Sequence, residues 1–247
     1  GTPERCGIWH HAGKNARLKD LKLEEAPDKQ WANVTACYRM EEQDADLNVK
    51  YTIRPDGVVK VTMSFVPGEK ALPEMPRLGM RMVLPAEYDM MTWLGRGPHE
   101  NYADRKNSAL IGVYKANVWE QYHPYVRAQE SANKCDVRWV ALRNQTGEGL
   151  LITGEEPLNV SAWNFPQSDI DYRPFNVERR HGGSIEKQDL VWLNIDHRQM
   201  GVGGDNTWGA HVHSEYTITP HAWQYSFVLQ PLQPETDPVS QAHKRFF

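Results

Sequence analysis

Hydrophobic and polar residues alternate with a period of two along much of the chain. The alternation is clearest in residues 47–53 and 59–65, and the turn-forming sequence Pro-Asp-Gly at 55–57 separates these two runs. Two such runs joined by a tight turn predict a β-hairpin with one buried face. The side chains expected on the buried face of the second run are Val59, Val61, Met63 and Phe65.

The same alternation recurs at intervals, and each run ends at a Gly, Pro or Asn/Asp cluster. The further runs are residues 78–84, 137–141, 191–195, 216–218 and 225–229. Trp139 lies on an inward position of its run and is expected in the core. Helical periodicity is weak, and short helical turns are predicted near 102–107 and 168–172. Without alternating strands and helices, the pattern predicts an all-β sandwich or barrel.

Composition and charge exclude several classes of function. The 247 residues include 28 Lys and Arg against 32 Asp and Glu, a net charge of −4, which argues against nucleic-acid or anionic-membrane partners. Apolar runs stay far short of the roughly 20 residues that a membrane helix needs. The three cysteines, Cys6, Cys37 and Cys135, are too far apart for a CxxC metal site or a disulfide framework. Nine tryptophans and ten tyrosines fit either a large β core or a sugar-binding surface.

Three long irregular segments, about 95–108, 119–135 and 197–213, are candidates for functional loops. The first includes the sequence WLGRGPHENYADR at 93–105. Its polar residues either satisfy a sharply turning backbone or face a ligand, and the structural role is favoured because irregular backbone needs side-chain partners. His99 and Glu100 are adjacent candidates for an acid/base pair, but neighbours in an extended loop point in opposite directions, which disfavours that pairing.

The last of these loops includes the sequence QMGVGGDNTWG at 199–209. A phosphate-binding loop is not supported, since neither the following helix nor the required lysine is present. The glycines instead predict a tight loop that holds Asp205, Asn206 and Trp208 on a rigid tip. His211 and His213 would share one face of a strand, but without a third ligand at sensible spacing no metal site is predicted.

These loops resemble the C-terminal domain of large bacterial β-galactosidases of glycoside hydrolase family two. The resemblance rests on the motif at 93–105, on residues 122–126 and 129–134, and on 194–196 followed by 200–208. It extends in the same order from about Trp9 to Pro231. The chain departs from the family at Asn206, where many relatives have Asp, and at 131–133, where Ser-Ala-Asn replaces the common Asn-Gly.

The resemblance implies a large antiparallel β-supersandwich, similar to galactose mutarotases. It implies a domain at 1–234 with a truncated N-terminal edge, followed by a polar C-terminal tail at 235–247. In the family this domain ends a chain of about a thousand residues whose catalytic carboxylates lie on a TIM barrel. No catalytic residue is therefore expected in this chain, and the isolated chain is expected to be inactive.

The resemblance also implies the role of individual residues and the partners. Trp208 matches a tryptophan that stacks on substrate sugar, while Asp205, Asn206 and His99 are weaker candidates or loop supports. The expected partners are a lactose-like β-galactoside, the TIM-barrel domain and a homo-oligomeric parent. No cofactor is expected here, because the magnesium and sodium of the family are bound mainly by other domains. The resemblance implies a bacterial protein, cytoplasmic or periplasmic. A free-standing carbohydrate-binding module and an aldose mutarotase-like protein remain as alternatives.

Overall fold

The structure is a computed structural model that describes residues 2–171, 181–206 and 208–247. Extended chain dominates these residues, as the period-two pattern predicts. The strands are β1 (Arg17–Glu25), β2 (Ala32–Met40), β3 (Ala45–Ile53), β4 (Val59–Pro67), β5 (Arg77–Pro85), β6 (Met90–Gly97), β7 (Leu110–Asn117), β8 (Lys134–Arg143), β9 (Gly149–Trp163), β10 (Leu190–Gln199) and β11 (Trp223–Leu232). The helices are the short α1 (Thr2–Cys6), α2 (Ala12–Asn15) and α3 (Pro238–Ala242).

All strand pairs are antiparallel, and the strand β9 connects two parts of the sheet system. The main path runs in the order β1-β2-β3-β4-β11-β9-β8-β6-β7, and β10 joins β5 to β9 away from that path. Residues 149–154 of β9 pair with β11, whereas residues 159–163 pair with β10. One strand therefore passes from one sheet layer into the other.

A single large core fills the space between these layers. It takes buried side chains from β2, β3, β4, β5, β6, β8, β9, β10 and β11. Trp139 is buried, as predicted, in a smaller cluster with Ala141, Leu151 and Leu232. The all-β sandwich expected from the sequence is thus confirmed.

The predicted hairpin is confirmed as β3 and β4, which pair from Ala45 with Pro67 to Ile53 with Val59. Val61, Met63 and Phe65 are buried, while Val59 at the end of β4 is half-buried and packs against the core edge.

Three local predictions differ from the structure. The run 216–218 is not a strand: Ser214–Tyr216 forms a 3₁₀ turn, and Ile218 makes one isolated bridge to Met75. The side chain of Thr217 closes that turn on the Ser214 carbonyl at 2.7 Å, so the backbone is not free to extend. Residues 102–107 form turns around a Tyr102–Arg105 bridge instead of a helix.

The third difference concerns the turn predicted near 168–172. A short 3₁₀ helix, Gln167–Asp169, begins one residue earlier, and Pro166 occupies its N-terminal flank without a side-chain cap. Tyr172 lies outside the described residues.

The C-terminal segment returns to the sheet. Asp237 caps α3 by accepting hydrogen bonds from the amides of Val239 and Ser240 at 3.3 and 3.0 Å. The Arg54 guanidinium, next to the end of β3, lies 5.6 Å from the Phe246 ring centre. The boundary at 234 stays a prediction, but the segment beyond it packs on the domain.

Candidate functional site

Trp208 is the most exposed large apolar side chain of the described residues. It lies in the loop that follows β10, and 94% of its surface is accessible to solvent. An indole has a large apolar area, so leaving it in water forgoes a favourable burial. Trp208 therefore remains a candidate for contact with a ligand or with another part of the protein.

The loop's own side chains hold the backbone around Trp208. Asn206 accepts a hydrogen bond from the Trp208 amide at 2.8 Å, which is an Asx turn. Asp205 lies 2.8 Å from the Nε2 atom of His213, and this hydrogen bond raises the pKa of that imidazole. Asp205 and Asn206 are therefore engaged in shaping the loop.

Asp104, from the loop after β6, anchors the start of the Trp208 loop. Its Oδ1 atom accepts from the Val202 amide at 3.2 Å, and its Oδ2 atom accepts from the Gly203 amide at 2.7 Å. This approach requires glycine: a Cβ atom on Gly201 would lie 2.7 Å from the Asp104 carboxyl carbon and 2.4 Å from Val212. The two motif loops are thus tied together by one carboxylate.

The remaining polar residues of the first loop serve its own structure. Glu100 accepts hydrogen bonds from Arg105 at 2.7 Å, from the Ala132 amide at 2.8 Å, from Ser131 at 3.2 Å and from Tyr125. A carboxylate with these four partners has its acceptor positions occupied, which disfavours an acid/base role beside His99. His99 is exposed and its Nε2 atom lies 3.1 Å from Ser108, so its weaker candidacy for ligand contact remains a prediction.

An ionic cluster around the buried Asp196 lies where β5, β10 and the loop before β8 meet. Arg77 donates to Glu130 at 2.9 Å and lies 3.2 Å from the carboxylate of Asp196. Burial raises the pKa of Asp196 to about 7 against the opposing attraction of Arg77, and burial likewise raises the pKa of Glu130. The cluster fixes the Gln-Glu-Ser segment at 129–131 to the sheet.

The structure describes no group of three or more His, Cys, Asp or Glu side chains placed to hold a metal ion among residues 2–171, 181–206 and 208–247. His211 and His213 do not lie on a strand, so their rings do not share a strand face. His211 bonds Arg5 instead, and His213 bonds Asp205. In the described part of the chain, no helix is long and apolar enough to cross a membrane.

The sequence predicts Trp208, Asp205 and Asn206 as site candidates, but not Asp104, which anchors their loop. Asp104 lies inside the motif at 93–105, next to Arg105, and nothing in that motif alone indicates what it binds. A lone aspartate shows no partner in the sequence, because the amides that it binds lie almost a hundred residues later. The glycines at 201 and 203 were the available signal, since glycine amides at a tight turn need an acceptor.

Comparison with known proteins supplies the family. A family model described as beta galactosidase small chain matches residues 2–229. The beta-galactosidase of Priestia megaterium (strain DSM 319 / IMG 1521) is 36% identical over 231 residues, covering 93% of this chain and 21% of the relative. The chain thus spans about a fifth of the length of the curated relatives it matches.

Likeness to one solved structure supports the fold alone. The galactosidase domain of the alpha-galactosidase–sucrose kinase AgaSK superimposes with a TM-score of 0.50 at 7% identity, over 88% of this chain and 28% of that chain. Galactose 1-epimerase from Lactobacillus acidophilus NCFM gives a TM-score of 0.44 at 8% identity, over 86% of this chain and 66% of that chain. With a family match that spans nearly all of its length, the chain belongs to the β-galactosidase small chain family.

Proposed function

We propose that this chain is the C-terminal domain of a β-galactosidase of glycoside hydrolase family two and completes an active site located on another domain. Retaining glycoside hydrolysis needs two carboxylates about 5–5.5 Å apart, one as nucleophile and one as acid/base. In this proposal both belong to a TIM barrel outside the chain. The family match and the coverage of about a fifth of each relative support this assignment.

The part that this domain contributes is the indole of Trp208. A pyranose has an apolar face of C–H groups, and a rigid indole covers it well. Burying part of that face contributes about 1–3 kcal/mol at roughly 25 cal/mol per Å². The observation that carries the proposal is that Trp208 is 94% exposed on a loop held by Asp104, Asp205 and Asn206. These hydrogen bonds hold the loop backbone, while the indole ring of Trp208 remains exposed to solvent.

The ligand implied by this arrangement is a β-galactoside such as lactose. We place Trp208 where the leaving or accepting sugar lies, since a stacking platform provides affinity without touching the reacting bond. Asp205 and Asn206 act through the loop backbone, because their side chains already bond His213 and the Trp208 amide. Removing the ring should therefore change affinity for the second sugar more than the bond-breaking step.

The test is Trp208→Ala in the complete enzyme, with Trp208→Phe as the matched control that keeps an aromatic face. The Kd of lactose, and of glucose as acceptor, should rise by about ten- to a hundredfold, because each tenfold change corresponds to about 1.4 kcal/mol. Trp208→Phe should recover a large part of that loss. Unchanged lactose and glucose affinities in the alanine variant, with the fold intact, would refute the stacking role.

The isolated chain provides a second test. It should show no hydrolysis of a nitrophenyl β-galactoside above a buffer blank, because in this proposal neither catalytic carboxylate is present. Turnover that survives further purification would overturn the assignment. Titration with galactose and lactose separates the alternative of a free-standing carbohydrate-binding module, which would bind either sugar tightly without the rest of the enzyme.

A further inference from the structure

The register of the sheet produces continuous apolar rows that run from the interior to the edge strand β1. The rows contain Leu18, Tyr38, Leu47, Phe65 and Trp223; Leu21, Ala36, Val49, Met63 and Tyr225; and Leu23, Val34, Tyr51, Val61 and Phe227. Residues directly opposite each other in antiparallel strands lie on the same face of the sheet. All three rows therefore belong to the face that carries the core.

Burial along these rows falls sharply at the edge strand β1. Phe65, Met63 and Val61 on β4 are buried, and the row members on β3 and β2 are buried or half-buried. The three leucines of β1 are 55%, 59% and 66% exposed. The apolar face thus continues past the point where the described residues cover it. We call Leu18, Leu21 and Leu23 the edge leucines.

A β-bulge keeps the edge leucines on one face. The pairing with β2 shifts between Leu18 and Asp20, so that Lys19 is left without a partner in the register. Leu18 would otherwise point away from Leu21, since residues three apart on a regular strand lie on opposite faces. A bulge that restores the alignment indicates that this face is built for a contact.

The other face of β1 is polar. Asp20, Lys22 and Glu24 alternate with the leucines there, opposite Cys37, Thr35 and Asn33 of β2. The strand is amphipathic, yet every one of its residues is exposed. An exposed apolar edge strand is prone to unwanted pairing, so soluble proteins cover or charge such edges.

We propose that the edge leucines are covered in the intact β-galactosidase by a part of that enzyme outside this chain. The chain accounts for about a fifth of the length of its relatives, so four-fifths of each relative lies outside the match and is available to supply the covering surface. An apolar surface of that remainder, set against the leucine side of β1, completes the rows. This inference rests on the proposed function, because it requires this chain to work inside a larger β-galactosidase.

The experiment compares thiol labelling of one strand in two settings. Leu21→Cys and, as its matched control, Lys22→Cys are each made together with Cys37→Ser, since Cys37 is partly accessible on the adjacent strand. A maleimide reacts at a rate that depends on access to the thiolate. The rates are measured in the 247-residue chain and in the complete enzyme.

The Leu21→Cys rate should fall by about tenfold or more in the complete enzyme, while the Lys22→Cys rate should change by less than about threefold. A failure of the complete enzyme to assemble with Leu21→Cys, but not with Lys22→Cys, would support the same contact. Equal Leu21→Cys rates in both settings would overturn the proposal. If Leu21→Cys is already protected from labelling in the isolated chain, and sedimentation shows a dimer, then a second copy of the chain covers the edge leucines and the proposal is overturned. Labelling does not depend on turnover, so these outcomes are separate from the Trp208 test.

Discussion

Asp104 and Gly203 are joined by a hydrogen bond of 2.7 Å from the Gly203 amide to the Asp104 carboxylate, and the neighbouring Val202 amide donates to the same carboxylate at 3.2 Å. The aspartate belongs to the loop after β6 and the amides to the loop after β10. Hydrogen bonds to a charged group contribute about 1.5–3 kcal/mol each where water is excluded, and less at an exposed site such as this. Asp104 therefore positions the start of the Trp208 loop, next to the bonds that Asp205 and Asn206 make further along it.

Asp104→Ala should therefore weaken lactose and glucose binding in the complete enzyme by several-fold, with little effect on the chemical step for an aryl galactoside. The side chain acts through Trp208, so its loss should add little in a Trp208→Ala background. A double-mutant cycle on sugar affinity measures this coupling. Asp104→Asn keeps one acceptor oxygen and should have an intermediate effect. Additive losses of affinity would show that Asp104 acts independently of Trp208.

A second prediction concerns the glycine that the aspartate approaches. A Cβ atom on Gly201 would meet Val212 at 2.4 Å and the carboxyl carbon of Asp104 at 2.7 Å, both well inside van der Waals contact. Gly201→Ala should displace the loop and reduce acceptor-sugar affinity about as much as Asp104→Ala. Gly13→Ala is the matched control, because nothing lies within 4 Å of its added Cβ atom. Equal sugar affinities in the Gly201→Ala, Gly13→Ala and parent enzymes would contradict the tight approach.

The sequence predicts the fold where alternation and turn chemistry agree. The hairpin of β3 and β4 has both signals, and its register follows from which face is buried. The alternation pattern does not mark β1, because the bulge at Lys19 breaks it, or β9, because its sequence passes between two sheet layers with different buried faces. The prediction of a strand at 216–218 is wrong, because the hydroxyl of Thr217 bonds the Ser214 carbonyl and holds a turn.

Only part of the candidate site could be predicted from the sequence. Trp208 and its glycines form one contiguous motif, so the sequence displays them together. Asp104 and the loop that it anchors are distant in the chain, as are Arg77, Glu130 and Asp196 of the ionic cluster. Contacts between distant segments follow from the packing of strands, which a single sequence does not specify.

A third prediction compares the stability contribution of a core tryptophan with that of the exposed loop tryptophan. Trp139 is 3% exposed and packs with Leu151 and Leu232, whereas Trp208 is 94% exposed. Trp139→Ala should lower the free energy of unfolding by about 3–5 kcal/mol through lost burial and a cavity. Trp208→Ala should change it by less than about 0.5 kcal/mol, as surface substitutions do. Denaturant unfolding of both variants measures the difference, and comparable losses would place Trp208 in a structural role.

The last prediction concerns Asp196, whose carboxyl group is buried beside Arg77 and Glu130. Burial raises its pKa to about 7, from 3.8 in the unfolded chain, although Arg77 pulls in the opposite direction. Between these two values the folded protein holds a proton that the unfolded chain has released. The contribution of Asp196 to stability is therefore present at acid pH and is lost as the pH rises through about 7.

Asp196→Asn keeps the size of the side chain and removes the titration. The variant and the parent chain should unfold with similar free energies near pH 4, and the variant should become the more stable as the pH rises to 8. Each pKa unit corresponds to about 1.4 kcal/mol, so the difference should reach at most about 4 kcal/mol. Carboxylates elsewhere titrate in both proteins, so the quantity to measure is the difference between their free energies of unfolding in urea at several pH values. A parent chain that gains stability over the variant with rising pH would reverse the sign, and would show that the attraction of Arg77 outweighs the cost of burying the Asp196 carboxylate.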